Sequence, residues 1–267
     1  MKWIAASTIV VASLFVIASV NPALGEDKPA EAKPARVLLI TGCDVKAHDW
    51  RATSPVLREQ LEETGKFEVV VSEEPLVLES SALADYDIIL INYFNWNRPG
   101  ITPKAQKNII DFVKSGKGFV SFHFSCRAFG DWPEWRNLIG RVWVDGSGHG
   151  PRGKFKVTVA DKDHFITTGL TDFEADDELY AKLVGDTPIH VLVEAKSDWS
   201  GRTEPLAWTL DYGKGRVFNI VLGHDVKALR TPEFKSLFTR GTDWVLQPHD
   251  VAAGVSPAVA HPRSPTN

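Results

Sequence analysis

Short apolar runs alternate with amphipathic stretches along the first half of the chain. A continuous apolar run is typical of a strand buried on both faces of a parallel sheet, whereas apolar residues three and four positions apart predict a helix covering one face. The continuous runs predict strands over residues 36–41, 67–71, 87–92 and 118–122. The amphipathic stretches predict helices over residues 53–63 and from Pro103 to a stop at Gly116.

The second half of the chain is richer in predicted strands. They fall over residues 154–159, 189–193, 206–210 and 216–221, before a final helix over residues 232–245. Strands that alternate with helices imply right-handed crossovers and a parallel sheet covered on both faces. We therefore expect an α/β, flavodoxin-like fold, with a mostly parallel, doubly wound sheet and a β-rich elaboration in the second half.

The first 25 residues predict a signal peptide. Lys2 provides a positive start, residues 3–20 are uncharged and apolar, and small residues at Ala23 and Gly25 suit cleavage before Glu26. The alternative is a retained membrane anchor, but the apolar stretch is of borderline length and the small-residue site favours removal. We expect an exported protein, periplasmic or secreted, with no stable membrane anchor.

Polar segments flank the predicted domain on both sides. Residues 26–35 and 248–267 are rich in Pro, Ala and polar residues, so they cannot bury enough apolar surface to offset the entropy lost on ordering. They predict a flexible linker and a disordered tail. The remaining residues, 36–247, form a length that one α/β domain can occupy.

Charge and cysteine content narrow the class of protein. The net charge of -4 gives no basic surface for nucleic acid, so we expect no nucleic-acid partner. The two cysteines, Cys43 and Cys126, could form a disulfide in an oxidising compartment or could be two buried thiols, and both alternatives stay open.

Polar residues that follow the predicted parallel strands are the first candidates for a site. In open α/β sheets the binding crevice lies beyond the carboxyl ends of the strands. The candidates are Asp44, His48, Asp49 and Trp50 after the first strand, Tyr93, Asn95, Trp96 and Asn97 after the third, and His123, Ser125 and Arg127 after the fourth.

His123 lies where the fourth strand must turn abruptly. In hydrolases with a nucleophile elbow, this turn holds Ser or Cys between glycines. Here the residue is His without flanking glycines, and Cys126 comes three positions too late, so a nucleophilic triad is disfavoured. Imidazole can act as a general base or a metal ligand. The alternative is a buried histidine satisfied by backbone groups.

Later loops add further histidines and an acidic run. His149 follows a Gly-rich stretch that lacks the Gly-Lys-Ser/Thr ending of a phosphate loop, so a nucleotide site is unsupported. His164 and His224 follow, and residues 176–178 are all acidic, which we interpret as a solvated loop or a helix start. No two histidines have the spacing that places them on one helical face. A divalent metal could therefore be bound only by separate loops, and its ligands stay unassigned.

Nine tryptophans are many for 267 residues. Most of them are expected to pack in the core or at interfaces. Trp96, flanked by Asn95 and Asn97, is the one we expect to serve as a platform for a sugar ring.

Several motifs in order carry a resemblance to a known family. They are residues 118–125, His149, residues 163–167, Gly169-Leu170, residues 177–180, Ala207-Trp208, residues 213–218, Gly223-His224 and residues 241–246. Over roughly residues 36–247 the chain resembles the ThuA-like (trehalose utilisation) family, of the class I glutamine-amidotransferase-like superfamily. One departure is Phe165, where the family commonly has Pro. The resemblance implies carbohydrate metabolism without fixing the reaction. It does not imply glutamine hydrolysis, because His123 replaces the nucleophilic cysteine.

The leading hypothesis is an enzyme that acts on a disaccharide, a glycoside or an oxidised (keto) sugar as a hydrolase, lyase or isomerase. His123 and His224 would be acid–base or metal-coordinating groups, with Glu178 as their carboxylate partner. The substrate-binding residues would be His48, Asn95, Trp96, His149 and Tyr180. The alternatives are a non-catalytic sugar-binding domain of an envelope complex and a structural metalloprotein. The oligomeric state stays open.

Overall fold

A computed structural model describes residues 33–248 of the chain. The expected signal peptide, most of the linker over residues 26–35 and all but the first residue of the tail over residues 248–267 lie outside the described residues. Within residues 33–248, no helix combines the length and the apolar character needed to cross a bilayer.

Eleven strands are described. One sheet contains nine of them in the order β2-β1-β3-β4-β11-β10-β9-β6-β7, and β5 pairs with β8 in a second, two-stranded sheet. The strands are β1 (Ala35–Ile40), β2 (Phe67–Ser72), β3 (Ile88–Ile91), β4 (Gly118–Phe122), β5 (Gly148–His149), β6 (Gly153–Val159), β7 (Phe173–Asp177), β8 (Tyr180–Ala181), β9 (His190–Lys196), β10 (Thr203–Tyr212) and β11 (Gly215–Ile220).

The sheet has a parallel half and an antiparallel half. The strands β2, β1, β3, β4 and β11 run parallel to one another. The strands β10, β9, β6 and β7 continue from β11 in antiparallel pairs. The order β2-β1-β3-β4 is that of a flavodoxin-like fold, so the expected fold class is confirmed, including the β-rich second half.

Four of the five described α-helices begin at a capping side chain. The helices are α1 (Trp50–Glu62), α2 (Pro103–Lys114), α3 (Pro133–Ile139), α4 (Val226–Leu229) and α5 (Pro232–Trp244), with 3-10 segments at Pro75–Glu79, Ser81–Asp85 and His123–Arg127. The Asp49 carboxylate accepts hydrogen bonds from the first backbone N–H groups of α1, so this helix begins three residues before its predicted start. Thr102 and Thr231 cap α2 and α5 in the same way, each before a proline.

The acidic run is the main correction to the sequence-based interpretation. It was expected as a solvated loop or a helix start, but Asp176 and Asp177 end β7, which pairs with β6. Asp177 and Glu178 are only 3% and 7% exposed. Buried carboxylates require hydrogen-bond or charged partners, and those partners define the site described below.

The core fills both faces of the central strands. All four residues of β3 are fully buried, as a strand covered on both faces requires. Trp50, Trp132 and Trp135 are buried, which confirms packing roles for these three rings. Cys43 and Cys126 are buried free thiols.

Candidate metal and acid–base site

Three histidines and one glutamate converge at the carboxyl-end edge of the sheet. His48 follows β1, His123 follows β4, Glu178 follows β7 and His224 follows β11. One ligand atom from each of these four residues, hereafter the histidine–glutamate cluster, lies within 4.8 Å of every other. The four residues come from four separate connections, which is the only arrangement that their sequence spacing allowed.

His123 is held in a defined orientation and tautomer. It is 1% exposed, and its backbone has a φ of 45°, a conformation that non-glycine residues rarely adopt. Its Nδ1 lies 2.7 Å from the carbonyl oxygen of Val221 and donates a hydrogen bond to it. Because Nδ1 is engaged in this way, Nε2 faces the cluster, 2.9 Å from the Tyr180 hydroxyl and 3.6 Å from Glu178 Oε2.

The Asp177 carboxylate joins the end of β7 to the loop that follows β11. Its carboxylate accepts hydrogen bonds from the backbone N–H groups of Gly223 at 2.6 Å, Glu178 at 2.8 Å and His224 at 3.0 Å. These three hydrogen bonds fix the start of the loop that carries His224 against the end of β7. Asp177 is a positioning residue for both Glu178 and His224.

Glu178 lies between the histidines. Its Oε2 is 3.0 Å from His224 Nδ1, and its Oε1 is 3.5 Å from His149 Nε2. The His224 Nδ1 atom is buried, and among the described residues no aligned hydrogen bond reaches it. The Glu178 oxygen and the His224 nitrogen thus lie close together without a hydrogen bond between them. Two metal-coordinating atoms around a shared cation have this arrangement.

His48 is the fourth member of the cluster. Its ring stacks on Phe124 with centroids 4.5 Å apart, and its Nε2 is 3.5 Å from the Tyr180 hydroxyl. Burial, together with the neighbouring His123 and His224, lowers the pKa of His48 to about 2. The imidazole is therefore neutral at physiological pH, which is the form that binds a metal.

The pKa values of Glu178 and His224 shift in opposite directions. Burial raises the pKa of Glu178, but the close approach of His123 and His224 to its carboxylate outweighs burial and holds this pKa well below its usual range. The interaction with Glu178 raises the pKa of His224 despite partial burial. Burial raises the pKa of Tyr180 well above its usual value, so its hydroxyl stays protonated and can donate.

The cluster fits a divalent transition-metal ion. Ligands at 2.0–2.1 Å from a tetrahedral zinc ion are about 3.4 Å from one another. The distances from Glu178 Oε2 to His224 Nδ1 and to His123 Nε2, 3.0 and 3.6 Å, bracket that value. Imidazole nitrogens with one carboxylate suit Zn²⁺ and similar ions, whereas Ca²⁺ and Mg²⁺ prefer all-oxygen sites.

The other predicted site residues have different surroundings. The His149 Nδ1 donates to the Gly150 carbonyl at 2.6 Å, so its Nε2 is free to face Glu178 from the more open side of the cluster. Trp96 is 45% exposed. The Asn95 amide accepts from the Phe129 N–H and donates to the Arg98 carbonyl, so it stabilises its own loop. His164 belongs to a separate group with His190, 5.3 Å away between ring centroids.

Sequence reasoning missed the supporting residues. Asp177 was noted only as part of the acidic run, although the alternation of apolar and acidic residues over residues 173–177 is a strand signal. Phe124 and the Val221 carbonyl were missed because their partners are distant in sequence: Phe124 stacks on His48, and the Val221 carbonyl meets His123 through the pairing of β4 with β11.

Comparisons with known proteins agree with this architecture. The model of the ThuA family, described as trehalose utilisation, matches residues 36–245. A putative ThuA-like protein from Parabacteroides merdae is 27% identical, with a TM-score of 0.72 over 80% of this chain and 90% of that one. A putative ThuA-like protein from Bacteroides uniformis is 17% identical, with a TM-score of 0.64 over 82% and 95%. A β-galactosidase from Bacillus circulans sp. alkalophilus shares only the fold, with 15% identity and a TM-score of 0.52 over 79% of this chain and 30% of that one. No curated protein matches the chain.

Proposed function

The chain belongs to the ThuA family, and we propose that it is an exported enzyme of carbohydrate metabolism that binds a divalent cation in the histidine–glutamate cluster. Its substrate is a disaccharide, a glycoside or a keto derivative of these sugars. The observation that carries the proposal is the convergence of His48, His123, Glu178 and His224. Buried or partly buried imidazoles grouped with a carboxylate in this way recur where proteins carry out acid–base or metal-assisted chemistry.

The cluster supplies an electrophile and proton-transfer groups together. A bound cation would polarise a carbonyl or hydroxyl oxygen of the sugar. His123 would hold the cation through Nε2, the atom that now lies 2.9 Å from the Tyr180 hydroxyl, and this hydroxyl would then be available to donate to a substrate oxygen. His149 presents Nε2 at the partly exposed side, where it can accept a proton.

A keto sugar suits this set of groups best. Proton abstraction beside a carbonyl needs a base and an electrophile, but it needs no covalent nucleophile. Neither described cysteine lies at the elbow position, which His123 occupies, and burial raises the pKa of the Cys126 thiol to about 12. Elimination or isomerisation of an oxidised glycoside therefore fits the residues better than acyl transfer does.

The alternative is a non-catalytic sugar-binding domain. The exposure of Trp96 favours it, because an exposed indole ring is a ready platform for the apolar face of a sugar. This alternative needs Trp96 but does not need the histidine–glutamate cluster.

The deciding experiment measures metal content and turnover together. Mass spectrometry would follow matched native and 3-keto disaccharides incubated with the purified protein, with and without added Zn²⁺ or Mn²⁺, alongside elemental analysis of the metal content. We expect about one bound cation per chain and conversion of keto substrates only. Sugar binding without conversion of any substrate would overturn the enzyme assignment in favour of the binding domain.

Glu178→Gln is the informative variant for this experiment. It keeps the side-chain shape but removes the anionic ligand, so we expect loss of the cation and of turnover. His123→Ala is less useful because it would also leave a cavity and an unpaired Val221 carbonyl in the core. The matched control is Glu174→Gln on β7, whose carboxylate pairs with Lys154 at the surface.

Sequencing the amino terminus of the exported protein, expected at Glu26, tests the localisation.

A further inference from the structure

An exposed arginine lies among three aromatic rings close to the histidine–glutamate cluster. The Arg127 guanidinium carbon is 5.5 Å from the ring centroid of Phe94 and 5.8 Å from those of Trp96 and Trp143. Phe94 and Trp96 also contact each other edge to face, with centroids 5.7 Å apart. The rings and the guanidinium together form a surface that we call the arginine–aromatic patch.

The patch is directly connected to the proposed catalytic site. Arg127 is the last residue of the short helical segment that begins at His123. At a rise of about 2 Å per residue, four residues correspond to about 8 Å along the segment. Trp143 also links the patch to the cluster. Its ring contacts Arg127, and its centroid lies 4.9 Å from the centroid of the Tyr180 ring. Through this segment and through Trp143 the patch adjoins the cluster, so a ligand in the cluster that extended toward Arg127 would meet it.

The charge of Arg127 is not neutralised by the described protein. No carboxylate within residues 33–248 forms an ion pair with its guanidinium, and its side chain makes no hydrogen bond there. By contrast, Arg51, Arg152 and Arg230 all pair with acidic side chains. Aromatic rings cover faces of a guanidinium but leave its N–H edges free, and those edges match carboxylate and phosphate oxygens in a bidentate fashion.

We propose that the arginine–aromatic patch is an outer subsite that selects sugar derivatives carrying an anionic group, with Arg127 binding the anion and Trp96 packing on the sugar ring. The ligand class rests on the proposed carbohydrate function, whereas the anion preference rests on Arg127 alone. The subsite gives the protein a preference for acidic glycosides over neutral ones of the same shape.

The test is a binding measurement on ligands that differ only in charge. Isothermal titration calorimetry would compare methyl β-D-glucuronide with methyl β-D-glucoside, and D-glucose 6-phosphate with D-glucose. We expect each anionic ligand to bind about tenfold more tightly than its neutral partner, as one charge-assisted bidentate contact allows. The two pairs also show whether carboxylate or phosphate is preferred.

Variants assign the preference to the patch. Arg127→Gln should remove the difference between anionic and neutral ligands, because the affinity for the anionic ligand falls by more than the affinity for the neutral one. Trp96→Ala should weaken the binding of both. Arg136→Gln, at an exposed position of α3, carries the same charge change and should leave all affinities unchanged. Thermal melting checks that each variant is folded.

Equal affinity for the anionic and neutral ligands, no measurable binding of any of them, or an anion preference that survives Arg127→Gln would overturn the subsite. None of these measurements requires turnover. If the protein converts no substrate but shows an anion preference that depends on Arg127, the subsite is retained and the enzyme assignment is refuted. If it turns over substrate but shows no anion preference, the enzyme assignment is retained and the subsite is refuted.

Discussion

The single atom change Asp177→Asn should both destabilise the fold and weaken cation binding. Asp177 is 3% exposed and uses its two oxygens to accept three backbone N–H groups. An asparagine side chain of the same shape can keep the oxygen that faces Glu178 and His224. Its amide nitrogen then faces the N–H of Gly223, so that two donors meet where one hydrogen bond existed.

The cost can be worked out from these contacts. Hydrogen bonds to a charged acceptor contribute about 1.5–3 kcal/mol each, against about 0.5–1.5 kcal/mol for neutral ones, so the two retained bonds lose about 1 kcal/mol each. A buried N–H left without a partner costs about 1–3 kcal/mol more. We expect the free energy of unfolding to fall by about 3–5 kcal/mol. Displacement of His224 should lower cation affinity about 10- to 100-fold, as loss of a residue that supports metal ligands typically does.

Urea unfolding monitored by tryptophan fluorescence measures the first effect, and competition with a zinc chelator measures the second. The matched control is Asp176→Asn one residue earlier, whose carboxylate pairs with Arg152 and Lys227 near the surface. We expect that variant to lose no more than about 1 kcal/mol per pair and to bind the cation normally. If Asp177→Asn behaved like Asp176→Asn in both assays, the positioning role of Asp177 would be refuted.

Two further predictions concern residues outside the cluster. Burial, with His190 nearby, lowers the pKa of His164 to about 4, so the unfolded chain binds a proton more readily than the folded protein. The stability contribution of neutral His164 is therefore complete above about pH 6.5 and is lost as the pH falls toward 4. Urea unfolding at pH 7.5 and 5 should show a smaller loss for His164→Gln than for the wild type, and an equal loss would contradict this. Native Cys43 and Cys126 should resist iodoacetamide, because burial raises the pKa of both thiols, and both should react in urea. Rapid labelling of the native protein, read by mass spectrometry, would show that these thiols are accessible.

Local patterns were enough to predict most of the fold. The predicted strand over residues 118–122 matches β4 residue for residue, and α2 begins at the predicted proline, because burial on two faces and a Thr-Pro start are short-range signals. The strand β7 was missed because its acidic end resembles a solvated charge cluster. Its burial depends on distant N–H groups at Gly223 and His224, which no local window contains.

The site itself depends on the curvature of the sheet, which sequence patterns do not encode. In the strand order, β7 is four places beyond β11, which in a flat sheet would separate them by about 19 Å. Gly223 lies only three residues beyond β11, and three extended residues reach about 10 Å. Yet the Gly223 nitrogen is 2.6 Å from Asp177 Oδ2. The antiparallel half must therefore curl back toward the parallel half. Such curling follows from strand twist accumulated across β10, β9 and β6, and it is this curvature that brings Glu178 to three histidines from the other half of the sheet.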